Sequence, residues 1–270
     1  MKIIVITGAS DGIGAELARQ LARRHGAALG LVLAARHAGR LDAVASQCAA
    51  QGAQTLVVAA DLAQEPACRD LIAAAVARFG RIDALINNAG ISAQALFGDV
   101  QAENLGWYEQ LMRINFWGSV WCTHAALPFL KQSRGSIVAV ASLAGLIGVP
   151  GRTAYSASKF AMAGFFEALR AELKNAGVSV TTAYPGVVAT RIRHHGLNAA
   201  GLAAGSSGLR EEKAMRVEVC AQLILQAMDK REREVVMTIS GKLGRWLKLL
   251  APGRVEAMAL AALKDEVKPV

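Results

Sequence analysis

Along the chain, short unbroken apolar runs alternate with longer stretches in which apolar residues recur every three or four positions. The runs at 2–6, 29–34, 55–60, 84–87, 136–141, 178–183 and 235–239 are rich in Val, Ile, Leu and Ala and too short for helices. They predict strands buried on both faces. The intervening stretches 15–24, 40–51, 66–79, 104–130, 154–175 and 211–230 carry the helical period. Such alternation predicts an α/β fold: one doubly wound domain with a seven-stranded parallel sheet and helices on both faces. Ligands of such sheets sit beyond the carboxyl ends of the strands. Six residue clusters fall there: Gly8 after the first strand, Arg36 after the second, Asp61 after the third, Asn88 after the fourth, Ser142 after the fifth and Pro185-Gly186 after the sixth.

Composition narrows this picture without redirecting it. With 270 residues, 53% hydrophobic, 5% aromatic and 26 glycines, the chain suits Ala/Val/Leu-built helices on a buried sheet, and no linker-like stretch divides it. We expect the main domain to span 1–241. The remainder, 242–270, mixes basic residues with Trp246, Leu247, Leu249, Leu250, Met258 and Leu260 around Pro252-Gly253, which predicts two short amphipathic helices. The first strand begins almost at Met1, so no leader or spanning helix is expected ahead of it, and a cytoplasmic location follows as an expectation. A net charge of +9 could mark a nucleic-acid binder, but the basic residues are dispersed and no recognition motif accompanies them. Attraction of an anionic cofactor accounts for it, and no nucleic-acid partner is expected. Cys48, Cys68, Cys122 and Cys220 are scattered, which predicts reduced thiols. Neither they nor His25, His37, His124, His194 and His195 have metal-ligand spacing, so no metal is expected.

The candidate chemistry centres on Tyr155 and Lys159, four residues apart on a predicted helix and therefore on one face. A phenol titrates near pH ~10, and an adjacent ammonium favours its ionised form, so the pair could pass a proton to or from a carbonyl oxygen. Between the first strand and first helix lie Gly8, Ser10, Asp11, Gly12, Ile13 and Gly14, spaced Gly-x-x-x-Gly-x-Gly. Such a loop lets a pyrophosphate approach backbone N–H groups at a helix N-terminus, although an ordinary strand–helix turn would also use glycine. An acidic residue at the end of the second strand would hold the ribose hydroxyl of NAD; Arg36 stands there and points to the 2′-phosphate of NADP. Asp11 counts against this, since its carboxylate could lie near that phosphate, and a solvated surface arginine is the other reading. Asp61 and Leu62 could meet the adenine. The segment Asn88, Ala89, Gly90 could brace the sheet edge, with plain turn formation as the alternative for both. Asn115 sits mid-helix among apolar neighbours, where an amide needs a local hydrogen-bonding reason.

Taken together, the glycine loop, 87–90, Asn115, Ser142, Tyr155, Lys159 and Pro185-Gly186 resemble the classical short-chain dehydrogenases/reductases over roughly residues 1 to 240, closest in style to NADP-dependent ketone and hydroxysteroid reductases. The resemblance implies a single Rossmann domain, with NADP as cofactor and NAD as the less expected one. It implies catalytic roles for Ser142, Tyr155, Lys159 and Asn115: Tyr155 as acid or base, Lys159 lowering its pKa and holding the nicotinamide ribose, Ser142 polarising the substrate oxygen, Asn115 holding a relay water. It also assigns cofactor contact to Pro185, Gly186, Val188 and Thr190. The expected activity is hydride transfer between nicotinamide and a carbonyl or secondary alcohol on an apolar small molecule. A catalytically silent NADP-binding sensor is the alternative. A nucleotide-sugar epimerase would need a longer C-terminal substrate region.

Residues 191–210 contain Gly196, Gly201, Gly205, Gly208 and Ser206-Ser207, which predicts a mobile substrate lid. Leu143, Leu146, Ile147, Val149, Leu96 and Phe97 are the expected apolar pocket wall. The family resemblance makes a homodimer or homotetramer the expected assembly. For the tail, contact with a partner subunit is favoured over peripheral contact with a membrane.

Overall fold

The structure, a computed structural model, describes residues 1–205 and 214–266. Among these, β1 (Lys2–Thr7), β2 (Leu29–Ala35), β3 (Gln54–Ala59), β4 (Ala84–Asn87), β5 (Ser136–Val140), β6 (Ser179–Tyr184) and β7 (Glu234–Val236) form one seven-stranded sheet in the order β3-β2-β1-β4-β5-β6-β7. Every neighbouring pair is parallel. This is the doubly wound Rossmann arrangement expected from the alternation of runs, and the strand order reverses between β1 and β4.

Successive side chains of a strand point to opposite faces, and the two cores follow that rule. Ile4 and Ile6 join Leu31 and Leu33 under α1 (Gly12–His25), α2 (Ala38–Ala49) and α7 (Val217–Asp229). Val5 joins Val32, Leu85 and Ile137 under α3 (Glu65–Phe79), α5 (Gly118–Ser133) and α6 (Thr153–Glu172). Each of these fully buried aliphatic side chains contributes roughly 1.5–3 kcal/mol. Because both faces are covered, the strands read as unbroken apolar runs.

Three boundaries differ from expectation. The stretch 104–130 is not one regular helix: α4 (Gly106–Met112) leads into α5 through a π-type turn at Arg113–Trp117, whose third residue is Asn115. The helix expected at 211–230 starts at Val217, because Met215 bridges in parallel to Val188 and cannot be helical there; residues 211–213 lie outside the described set. The last strand stops at Val236 rather than 239, because the Thr238 hydroxyl accepts from Gly241 N at 3.0 Å and caps α8 (Ile239–Leu250). Pro252 then opens α9 (Pro252–Glu266), where its missing N–H costs nothing. The tail is thus two helices, and the division at residue 241 falls inside the first.

Candidate active site

All six strand-end clusters converge on one cleft of about 580 Å³ at the carboxyl edge of the sheet. Gly8, Ser10, Asp11, Gly12 and Ile13 line its β1–α1 end. Gly14 makes the turn possible: a Cβ there would lie 2.2 Å from Gly8 O. Gly8 itself has φ 66°, and a Cβ would meet Ala89 Cα at 2.8 Å. The loop is buttressed from β4. Asn88 donates through Nδ2 to Thr7 O at 2.9 Å and Gly8 O at 3.2 Å, while Thr7 Oγ1 accepts from Asn88 N and Ala89 N, both at 3.0 Å. Asn88, Ala89 and Gly90 therefore brace the loop as well as lining the cleft. Thr7, the hub of this brace, carried no sequence signal beyond being a strand-end residue.

At the far end, Arg36 is joined by His37 and Arg40, both also lining the cleft. Arg40 lies in the first turn of α2, so two guanidinium-bearing residues and a helix start border one end of the cleft. Asp11 makes a contact no local pattern indicates: its Oδ2 pairs with Arg191 Nε at 2.9 Å, and its Oδ1 accepts from Gly12 N at 2.8 Å. Burial pushes the Asp11 carboxyl up, but the Arg191 hydrogen bond, the Gly12 N–H and the charges of Arg191 and Arg40 together hold it below the usual carboxylate range. Asp61 and Leu62 line the same region, with the Asp61 carboxylate accepting from Ala63 N at 3.1 Å.

The other half of the cleft gathers Ser142, Tyr155 and Lys159. Ser142 caps a short turn, its Oγ accepting from Ala144 N at 3.2 Å, and its hydroxyl lies near enough to the Tyr155 phenol to favour the ionised form. Lys159 is buried; its Nζ donates to Val140 O at 3.0 Å and lies 5.9 Å from the Tyr155 ring centre. Burial lowers Lys159 to about 8. Burial also raises the Tyr155 phenol above its ordinary value, against the downward pull of Ser142, Arg152 and Arg193. Desolvation thus disfavours the charged form of both groups.

Asn115 is fully buried. Its Oδ1 accepts from Ile91 N at 2.8 Å, and its Nδ2 donates to Ile91 O at 3.0 Å and Ser158 Oγ at 2.9 Å. Ser158 in turn donates to Tyr155 O at 2.8 Å, so Asn115 ties the loop following β4 to the first turns of α6. Both amide protons are thereby used within the protein. Pro185, Gly186, Val188 and Thr190 complete the cleft on the β6 side, with Pro185 O accepting from Leu143 N at 2.9 Å and Thr190 packed beside Gly12.

The expected apolar wall is only partly realised. Leu143 and Val149 line the cleft, together with Ile91 and Ile192. Leu146 packs against the core beneath α6, and Ile147 abuts Gly244 of α8. Leu96 and Phe97 are exposed, Phe97 standing edge-on to Tyr108. In their place the cleft has Arg152, Arg193 and His195. Of the expected lid, 191–205 is described, and it is tethered: Leu197 N donates to Ser92 O at 3.0 Å, Gln94 N to Leu197 O at 2.8 Å, and Arg193 is buried against Val188 O. Residues 206–210, with Ser206, Ser207 and Gly208, lie outside the described set.

Residues 2–199 match the short chain dehydrogenase family. The chain belongs to the short-chain dehydrogenases. Among the relatives of this short-chain dehydrogenase, 11-beta-hydroxysteroid dehydrogenase-like 4A of Arabidopsis thaliana is 44% identical over 188 residues, covering 69% of this chain and 61% of the relative. 11-beta-hydroxysteroid dehydrogenase A of Sesamum indicum is 36% identical over 261 residues, covering 94% and 73%. The SDR family protein 7-like dehydrogenase/reductase of Dictyostelium discoideum is 32% identical over 274 residues, covering 99% and 83%. The match thus spans about three-fifths of the Arabidopsis relative. An alcohol dehydrogenase from the archaeon Thermococcus sibiricus, solved with 5-hydroxy-NADP, superposes with TM-score 0.72 at 24% identity, covering 87% of this chain and 95% of that one, and shares the fold.

Proposed function

We propose that this short-chain dehydrogenase is an NADPH-dependent oxidoreductase interconverting a carbonyl and a secondary alcohol on a largely apolar substrate. The observation that carries this reading is the convergence of Ser142, Tyr155 and Lys159 in one cleft with the glycine loop and Arg36. The cleft fits a dinucleotide. Its loop has room only for hydrogen at Gly8 and Gly14, and Arg36 and Arg40 stand at one end of the cleft, where a 2′-phosphate would be held by charge-assisted hydrogen bonds. The bound nicotinamide supplies or takes the hydride.

The chain's own residues handle position and proton. Ser142 and Tyr155 line the same end of the cleft, and the Ser142 hydroxyl lies near enough to the Tyr155 phenol to favour its ionised form, so the two can converge on a single substrate oxygen. Tyr155, kept protonated by burial, donates its proton to that oxygen as it gains charge in reduction, and takes one back in oxidation. Lys159, poised to titrate at about 8, is the neighbouring group able to exchange a proton near physiological pH. Asn115, its amide protons committed to Ile91 and Ser158, acts as a positioning residue for α6. Leu143, Val149, Ile91 and Ile192 would take the apolar body of the substrate. The names of the plant relatives, 11-beta-hydroxysteroid dehydrogenases, support a bulky apolar alcohol or ketone as the class.

Tyr155→Phe tests this. It should lower NADPH consumption on a panel of ketones by orders of magnitude while leaving NADPH affinity, measured by calorimetry, nearly intact. Unchanged turnover would remove Tyr155 from the mechanism. A wild type that binds NADPH yet turns over no ketone or alcohol would favour the silent sensor.

A further inference from the structure

α8 is amphipathic in the reverse of the usual sense. Toward the protein it turns its smallest residues: a Cβ on Gly241 would lie 2.4 Å from Leu143 Cδ2, and one on Gly244 would lie 2.9 Å from Ile147 Cδ1. The helix backbone therefore rests directly on the loop that forms the Leu143 wall of the cleft. Lys248 continues this inner face, its Nζ donating to Leu146 O at 3.0 Å and lying 4.8 Å from the Phe160 ring centre.

The large apolar residues point the other way. Ile239, Leu243, Trp246 and Leu250 recur at i, i+4, i+7 and i+11, which aligns them in one stripe. They are 77%, 64%, 65% and 85% exposed, even though α9 packs against α8, and Leu249 beside them is exposed too. α9 adds exposed Met258 and Leu260. Single exposed apolar residues need no explanation, but a contiguous stripe of this kind marks a surface that something covers.

Charge decides between occupants. α8 carries Lys242, Arg245 and Lys248 and no Asp or Glu. Lys242 and Arg245 are exposed beside the stripe, Arg245 pairing with Glu234, and exposed Arg254 follows at the start of α9, with exposed Glu256 the acid in the same stretch. A second copy of this chain, itself at +9, would bring like charges together across the stripe. An anionic lipid surface satisfies both the apolar stripe and its basic flank, with Trp246 suited to headgroup depth. No described helix is long and apolar enough to cross a membrane, so the helix would lie along the surface.

We propose that the α8 stripe docks on an anionic bilayer, with the helix axis in the plane of the interface. This inverts the preference for a partner subunit drawn from sequence. It also sets the Leu143 wall of the cleft about one helix diameter, ~10 Å, from the lipid. The proposal stands apart from the assigned chemistry, since neither its residues nor its test involve turnover.

The test uses the full chain and vesicles of phosphatidylcholine with about one-third phosphatidylserine, or of phosphatidylcholine alone, read by co-sedimentation. The wild type should bind the anionic vesicles about tenfold or more better than the neutral ones, with the difference shrinking as salt rises. Leu243→Ser with Leu250→Ser should weaken anionic-vesicle binding about tenfold or more without moving the melting temperature, because both side chains are exposed in the folded chain. Lys242→Glu should weaken it too. Absence of binding by the wild type, equal binding to both vesicles, or unchanged binding by the double serine variant would each overturn the proposal. So would light scattering that finds a wild-type dimer broken into monomers by the double variant, which would assign the stripe to a second copy.

Discussion

Lys159 is the residue whose physics most clearly separates function from stability. Burial lowers its pKa from 10.5 to about 8, so the folded chain binds its proton less readily than the unfolded chain. Between those two values the unfolded state holds more protons, and stability attributable to this group rises with pH; below about 8 the full burial penalty is present. Lys159→Met should therefore abolish turnover while raising the stability of the ligand-free protein at pH 7 by ~2–3 kcal/mol. The stability difference from wild type should shrink as pH rises from 8 toward 10, a trend that urea melts at several pH values would reveal. A methionine variant that is less stable at pH 7 would mean that the bond to Val140 O outweighs the burial of the charge. The same scale explains what could be read beforehand. Tyr155, Lys159 and Ser142 are legible because their chemistry lies in residue type and spacing. The rise in the Tyr155 pKa was not, because it depends on how much water the packed cleft excludes.

At the scale of elements, the π-type turn at Arg113–Trp117 is the departure with most consequence. An extra residue in a helical turn frees backbone geometry, and such turns often accompany functional sites. Here it carries Asn115, whose amide clamps both Ile91 N and Ile91 O. Asn115→Leu would leave those two backbone groups without partners and should cost ~2–3 kcal/mol in urea unfolding. A loss below about 0.5 kcal/mol would mean that the turn is held by packing alone. Asparagine inside an apolar helical stretch signalled an unusual site, but the periodicity of 104–130 could not reveal the change of hydrogen-bond register. β7 gives the same lesson from the other direction: Thr238 caps α8 and ends an apolar run that, by composition, could have continued as strand.

At the scale of the molecule, the cleft joins the two halves of the sheet, so a dinucleotide bound across it should stabilise the whole chain. NADPH at about a hundred times its Kd should add ~2.7 kcal/mol, seen as a higher melting temperature, with NADH at equal concentration adding less. Arg36→Ser with Arg40→Ser should erase the difference between the two; a surviving difference would move the phosphate site elsewhere. By itself the sequence determined the alternation of strands and helices, the edge at which chemistry gathers, and the identities of the residues following each strand. Those follow from local periodicity and from the parallel order that such periodicity imposes. Only the tertiary structure decided that Arg191 pairs with Asp11 across 180 residues, that Thr7 and Asn88 brace the glycine loop, that Arg152 and Arg193 face the Tyr155 end of the cleft, and that α8 turns its glycines inward. Each of these depends on which distant segments meet, and therefore on packing and desolvation, which no local pattern encodes.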